Sequence, residues 1–364
     1  MSQTQTALFV TEIGKPLSKS SRPIPEPKDG QVLVKVTVGG LNPHDAKARD
    51  HGLFIAGFLP AVLAADVVGV VTRLGPNVTR FQKGDHIVGQ ASLPEPNVNT
   101  PDPSFSNPSN DSLGLQEYAI LDARYSAKVP AGFTDAQLAT LPTNLVTAAV
   151  ALFDSTCLGI PAPWDPAASS FDYKNTSILI LGGGANTGKF GIQLAALAGI
   201  GRIIVVASPR SAAETRALGA THIIDRTGKA GAEIAAAVRE IVGDELIYAY
   251  DTINPPDSQW IGVEALSSSK TGKLARLLPV GPVDESHLST KKTAGFETLN
   301  VFGSSFARPA TAQPLWERIS GYVEEGKVKP TAFQAIEGLD VDAVNRILDG
   351  YSNGTATGHW QVHL

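Results

Sequence analysis

"LILGGGANTGKFGIQLAAL", residues 179–197, runs an apolar strand into a glycine-rich turn and then into a helix. Such a turn presents backbone N–H groups at a helix start and so holds phosphate. Which phosphate it holds depends on neighbouring residues. From Gly183 the stretch reads GxxxxGK, as a nucleoside-triphosphate loop does, but Phe190 occupies the place of the Ser or Thr that holds magnesium. From the same Gly183 it reads GxAxxG through Ala185 and Gly188, a relative of the dinucleotide-binding fingerprint. Without the hydroxyl, phosphoryl transfer is set aside and a dinucleotide is expected.

The second strand, "RIIVVA" (202–207), ends where such a fold meets the adenosine ribose, about 20 residues past the glycines. An NAD site usually offers a carboxylate there. This chain offers Ser208, Pro209 and Arg210. A hydroxyl and a guanidinium suit a 2′-phosphate, which a carboxylate would repel. Arg210 also opposes the dipole of the helix it opens, which favours a functional explanation over a solvated surface residue. The expected cofactor is therefore NADPH. Gly183, Gly184, Asn186, Thr187 and Gly188 are expected at the pyrophosphate, with Ser208 and Arg210 at the 2′-phosphate.

Around this unit the rhythm of the chain changes. Before it, "QVLVKVTVGGL" (31–41), "DVVGVVTRLG" (66–75), "DHIVGQA" (85–91) and "LQEYAILDA" (115–123) read as short strands of a small barrel or curved sheet. From about residue 143, apolar strands alternate with helices, the pattern of a parallel sheet covered on both faces. A helix at 314–326, another near 341–349 and a strand at 358–364 are expected to return to the first domain, where their apolar faces are buried. The α/β chain thus divides into a barrel domain, residues 1–142 and 311–364, and a doubly wound dinucleotide domain, residues 143–310. The Pro- and Asn-rich segment 92–111 is a surface loop, either a tolerated insertion or the wall of a substrate cleft.

With 364 residues, 43% hydrophobic and 18% charged, the chain supports two cores and little disorder. A net charge of −5 offers no basic surface for nucleic acid or an anionic membrane. The N-terminus does not resemble a signal peptide, and no apolar stretch is expected to span a bilayer. Cys157 is the single cysteine, which excludes internal disulfides and agrees with a reducing, cytoplasmic setting.

Residues 30–89 and 177–305 resemble the medium-chain dehydrogenase/reductase superfamily, in its zinc-free branch of quinone oxidoreductases and enoyl reductases. "ADVVGVVTRLGPNVTRFQKGDHIVG" (65–89) matches that branch's G-x-V-x-x-x-G-x-x-V-x-x-F-x-x-G-D-x-V signature, and "GLNPHDAKARDHG" (40–52) is similar to its GxNPxDxxxRxG segment. "LPTNLVTAAVAL" (141–152), "LLPVGP" and "NVFGSS" resemble its hinge helix and the segments lining the nicotinamide. The Pro-rich insertions and "DTINPP" resemble fungal proteins, among them trans-acting enoyl reductases of polyketide pathways. The resemblance implies a GroES-like barrel joined to a Rossmann domain. It also places Asn254, Val280 and Phe302 at the nicotinamide half of the cofactor, and Asn42 at its ribose.

Zinc-dependent relatives have a Cys where this chain has Asn42, and Gly-His-Glu where it has Ala64-Ala65-Asp66. The four cysteines of their structural zinc lobe are absent, so no metal is expected. Without a Lewis acid the favoured reaction is hydride addition to an activated C=C bond, because the negative charge spreads onto an enolate or quinol oxygen that a few donors stabilise. Lys47 aligns with the Lys of N-P-x-D-x-K in trans-acting enoyl reductases and is the expected proton donor or oxyanion stabiliser. Asp45 either orients Lys47 or starts its helix. Thr147 bonds either the carboxamide or its own helix backbone. The alternatives are a metal-free carbonyl or alcohol dehydrogenase, and a non-catalytic NADPH-binding protein. The resemblance implies a small-molecule substrate, carrier-protein-tethered in a polyketide pathway, and it admits a homodimer.

Overall fold

The computed structural model describes residues 3–93, 110–278 and 281–364, so Val280 and most of segment 92–111 lie outside the described residues. The chain opens with β1 (Thr4–Phe9), β2 (Ser18–Pro23), β3 (Gln31–Leu41), α1 (Pro43–His51), β4 (Asp66–Leu74), β5 (His86–Gln90), β6 (Tyr118–Asp122) and β7 (Ser126–Lys128). Helices α2 (Asp135–Leu138) and α3 (Pro142–Phe153) follow. Alternation then begins with β8 (Ser177–Leu181), α4 (Asn186–Ala198), β9 (Arg202–Ala207), α5 (Pro209–Ala217), β10 (His222–Asp225) and α6 (Gly231–Val242). It continues through β11 (Tyr248–Asp251), α7 (Trp260–Ala265), β12 (Gly272–Arg276) and β13 (Phe296–Asn300). The tail holds α8 (Pro309–Trp316), α9 (Ile319–Glu324), β14 (Phe333–Glu337), α10 (Val341–Asn353) and β15 (His359–His363).

Two units result. One comprises residues up to Thr143, Ser304–Gly326 and Pro330–Leu364; the other comprises Asn144–Gly303 and Lys327–Lys329. The second boundary falls earlier than the expected residue 310, and there is a physical reason. Ser305 donates its N–H (2.8 Å) and its hydroxyl (2.7 Å) to Gln90 Oε1 at the end of β5, and Trp316 Nε1 donates to Ser305 Oγ at 2.8 Å. Residues 327–329 go the other way, because the Lys329 N–H donates to Gln193 Oε1 on α4 at 2.6 Å. Strand β13 accordingly ends at Asn300, before this segment.

In the first unit, β14, β15, β3, β4, β5 and β7 form one sheet in that order, with β6 also paired to β3. The N-terminal half of β3 pairs with β6 and its C-terminal half with β15, so the sheet bends along this one strand. Alternation turns Val32, Val34 and Val36 into a buried cluster with Val67, Phe81, Ile87 and Leu121. The tail returns here as expected, and β15 lies antiparallel to β3. The helix expected at 314–326 is two helices, with Arg318 Nη1 donating to the Pro314 carbonyl at the break (2.8 Å).

The second unit is a six-stranded parallel sheet in the order β10-β9-β8-β11-β12-β13. This is the Rossmann order, with a switch point between β8 and β11 outside whose strand ends a ligand binds. All five residues of β8 are buried, which explains its continuous apolar sequence.

Residues Asp135–Phe153 together have the length and mean hydropathy, 1.4, of a membrane span, contrary to the expectation that no stretch does. However, 83% of that window is buried inside the protein, which marks a core segment.

Candidate functional site

The dinucleotide turn is built by close approach. Gly182 has φ +89°, a left-handed conformation that favours glycine, and a Cβ there would lie 2.5 Å from Thr252 Oγ1. Thr252 donates to the Leu181 carbonyl at 2.9 Å and the Gly182 carbonyl at 3.1 Å, fastening the end of β11 to the turn at the switch point. A Cβ on Gly183 would lie 2.1 Å from Val205 Cγ1, and one on Gly188 would lie 2.3 Å from the Gly182 carbonyl oxygen. Helix α4 therefore starts against the strand it follows, and only glycines permit this.

No side chain caps α4, whose N-cap is Ala185. Its first N–H groups, those of Asn186, Thr187 and Gly188, are left for an anionic ligand. Lys189 is not a phosphate lysine here: its Nζ is 2.7 Å from Glu214 Oε1 of α5. These features fit a dinucleotide pyrophosphate.

Beside the turn lies a cavity of about 180 Å³. Val206, Ile253 and Ile261 give it apolar walls, Gly182 and Asn254 line it, and Arg226 and Lys229 are its cations. Ser208 lines a neighbouring cavity of about 360 Å³ that also holds Arg216 and Asp225. Ser208 Oγ is 3.1 Å from Ser211 Oγ, and a Cβ on Gly184 would come within 2.8 Å of the latter. Arg210 is exposed and lines neither cavity. Sequence reasoning missed Gly182, Ser211, Arg226, Lys229 and Thr252. The basic pair in "DRTGK" after the third strand was the available signal for two of them.

Asn254 is held by Asp251, which accepts its N–H at 2.9 Å and its Nδ2 at 3.0 Å. Burial lifts the Asp251 carboxyl to about 6, against the lowering effect of those bonds. Phe302 is half-buried in the segment after β13. The next residue, Gly303, packs on Thr147: a Cβ there would lie 1.9 Å from Thr147 Oγ1. Thr147 and Phe302 are thus neighbours through Gly303.

In the first unit the "NPHDAK" residues divide into buried and exposed. Asn42 is the N-cap of α1, and its N–H donates to Asp45 Oδ2 at 2.8 Å. The other oxygen of Asp45 accepts the Ala64 N–H at 2.9 Å. Asp45 is thus a helix-start residue that also pins Ala64, whose φ is +72°. It does not orient Lys47, because residues two apart on a helix point to different faces. Lys47 is exposed and has no ion pair among the described residues.

Asn42 Nδ2 donates to Asp66 Oδ2 at 2.8 Å, and Asp66 Oδ1 accepts the Thr143 N–H at 2.7 Å. Asp66 is fully buried. Burial lifts its carboxyl to about 6, and the Thr143 and Asn42 bonds work against that rise. The side chains that would be metal ligands in a zinc enzyme satisfy one another here. Among the described residues no group of three His, Cys, Asp or Glu is placed to hold a metal ion. The donor set does not fit zinc.

Residues 28–131 match the alcohol dehydrogenase GroES-like domain and residues 187–321 the zinc-binding dehydrogenase domain. A dehydrogenase of Emericella nidulans, orsE, is 26% identical over 99% of both chains. The trans-enoyl reductase opdC of Penicillium oxalicum is 27% identical over 99% of this chain and 96% of its own. Among solved structures, an alcohol dehydrogenase superfamily protein from Novosphingobium aromaticivorans superposes with a TM-score of 0.74 at 23% identity, over 99% of both chains. The mycobacterial protein Rv1454c, solved in complex with NADPH, superposes with a TM-score of 0.71 at 22% identity, over 99% of this chain and 100% of its own. The chain belongs to the medium-chain dehydrogenase/reductase superfamily, with a GroES-like domain and a Rossmann domain.

Proposed function

We propose that this chain is an NADPH-dependent reductase of a C=C bond conjugated to a carbonyl, in an enone, an enoyl thioester or a quinone. The observation that carries the cofactor choice is the glycine turn opening on a cavity with two cations, while β9 ends without a carboxylate. Arg226 and Lys229 suit a 2′-phosphate, with Ser208 as a hydroxyl donor and Arg210 as a third cation. Similarity to a protein solved with NADPH supports the same choice. When bound, the cofactor supplies a hydride.

The choice of C=C over C=O rests on the Asn42–Asp66 pair. With its side chains satisfied internally, this site offers no Lewis acid to an alkoxide, whereas a delocalised enolate needs only hydrogen-bond donors and a proton. Lys47 presents an ammonium proton at the surface of α1, and we assign it to the enolate carbon or oxygen. Asn42 and Asp45 are assigned to holding α1 and Asp66 in place, not to the ribose or to Lys47. Thr147, Asn254 and Phe302 are assigned to the nicotinamide half. Similarity to a trans-enoyl reductase favours an enoyl thioester, borne by a carrier protein where one supplies it.

Product analysis with NADPH tests the reaction. A conjugated enone is expected to give the saturated ketone; allylic alcohol with the double bond intact would overturn the C=C reading. No turnover of enones, enoyl thioesters or quinones would favour a binding role. The cofactor choice is tested separately. Replacing Arg226 and Lys229 together with Ala should weaken NADPH by about 2–3 kcal/mol while leaving NADH nearly unchanged, and Arg210→Ala should cost about 1 kcal/mol. Equal weakening of both cofactors, measured by calorimetry, would refute this assignment.

A further inference from the structure

At the C-terminal edge of the Rossmann sheet, Asp251, Arg276 and Asn300 stand side by side in register on β11, β12 and β13. Arg276 is only 5% exposed, so its charge is buried. A buried guanidinium normally meets a carboxylate. The acceptors of this one are all neutral: Asn300 Oδ1 at 3.0 Å from Nε, Gln259 Oε1 at 2.8 Å from Nη1, and the Gly281 carbonyl at 2.8 Å from Nη2. Burial lowers its pKa, with no opposing charge to raise it again. An arrangement that forgoes charge pairing needs another explanation.

The acceptors belong to three separate segments. Asn300 ends β13, Gly281 follows β12, and Gln259 precedes α7. Gln259, 1% exposed, extends the network: its Nε2 donates to the Leu278 carbonyl at 2.8 Å and to the Asn254 carbonyl at 3.3 Å. Asn254 is in turn held by Asp251. One planar fork thus ties together the segments that follow three adjacent strands. It reaches the Arg226 cavity only through Asn254; among the described residues no hydrogen bond joins it to the glycine turn, Arg226 or Lys229.

We propose that Arg276 is a positioning residue that shapes the nicotinamide half of the cofactor site, independently of the adenosine half. The inference rests on the NADPH reading above. A guanidinium is required, because three acceptors in fixed directions match its rigid fork and not the point charge of an ammonium.

The test compares NADPH with 2′,5′-ADP, which occupies only the adenosine half, on wild-type and Arg276→Lys protein. The variant should bind NADPH about tenfold or more weakly, the scale of losing a charged hydrogen bond, and 2′,5′-ADP within about twofold of wild type. Unchanged NADPH binding, or equal weakening of both ligands, would overturn the proposal; the second outcome would make Arg276 a merely structural residue. Should Arg276→Lys fail to fold, Gln259→Leu removes one arm and should produce the same one-sided loss. Hydrogen exchange without ligand gives a readout that does not depend on the cofactor. The amides of Asn254, Leu278 and Gly281 should exchange faster in either variant, and unchanged rates would also sink the clamp. If wild-type protein binds neither ligand, the functional reading falls, and the exchange rates alone decide whether Arg276 organises these segments.

Discussion

Gly188→Ala is expected to lower the stability of the Rossmann unit by about 3 kcal/mol, at the upper end of overpacking costs, and to abolish measurable NADPH binding. The added Cβ would lie 2.3 Å from the Gly182 carbonyl oxygen, 3.0 Å from its carbon and 3.1 Å from Gly183 Cα. All three neighbours are backbone, so no side chain can turn aside. Relief requires the start of α4 to move away from β8, which displaces the N–H groups offered to the pyrophosphate. Gly321→Ala in α9 is the control: nothing lies within 4 Å of its Cβ position, and the substitution should be neutral or stabilise by up to about 1 kcal/mol through helix propensity. Urea denaturation and calorimetric titration measure both quantities. A Gly188→Ala protein that binds NADPH like wild type would separate the close approach from the site.

The second large effect is at Asp66. Asp66→Ala strands two buried donors, Asn42 Nδ2 and the Thr143 N–H, at about 1–3 kcal/mol each. A loss of roughly 3 kcal/mol or more in chemical denaturation is expected. Asp66→Asn should preserve both bonds, because the Asn42 amide can rotate to present its oxygen. Its signature is instead in the pH dependence. Burial lifts the Asp66 carboxyl from 3.8 to about 6, so the folded chain holds that proton more tightly than the unfolded chain. The stability this confers is complete below pH 3.8 and lost as pH rises through 6.

Asp251, raised in the same way, has a slope of the same sign. His359, driven by burial from 6.5 to about 4, has the opposite one: its contribution is present above 6.5 and lost as pH falls through 4. Asp66 is not among the causes of either shift. Subtracting wild type from Asp66→Asn therefore isolates Asp66 together with its charge coupling to His44. The difference should shift in favour of the variant by about 2–3 kcal/mol as pH rises from 4 to 7. A flat difference would show that the Asp66 carboxyl is not raised.

Phe190 already spoke against a triphosphate loop in the sequence, and the Lys189–Glu214 contact gives the missing hydroxyl a structural counterpart. The readings that the sequence left open concern partners. Asp45 was open between two roles, and it serves the helix start together with Ala64, 19 residues away in the chain. Arg210 seemed the natural phosphate ligand because it is adjacent to Ser208 in sequence. The cations that line the cavity come from beyond β10, and Arg210 stands outside it. Strand β14 left no readable pattern, since only Ile336 of its five residues is buried.

The sequence by itself determined the two-domain division, the barrel-like alternation of β3, the parallel order of strand and helix, the returning tail and the place of the dinucleotide turn. Each is a local or periodic property: alternation, apolar continuity, or a glycine where no Cβ fits. Only the tertiary structure decided which groups meet. It closed Asn42 on Asp66 across 24 residues of chain and joined Arg276 to Gln259, Gly281 and Asn300. The reason is that a buried polar group takes whichever partner the packed fold brings within bonding distance, and no spacing along the chain encodes that choice.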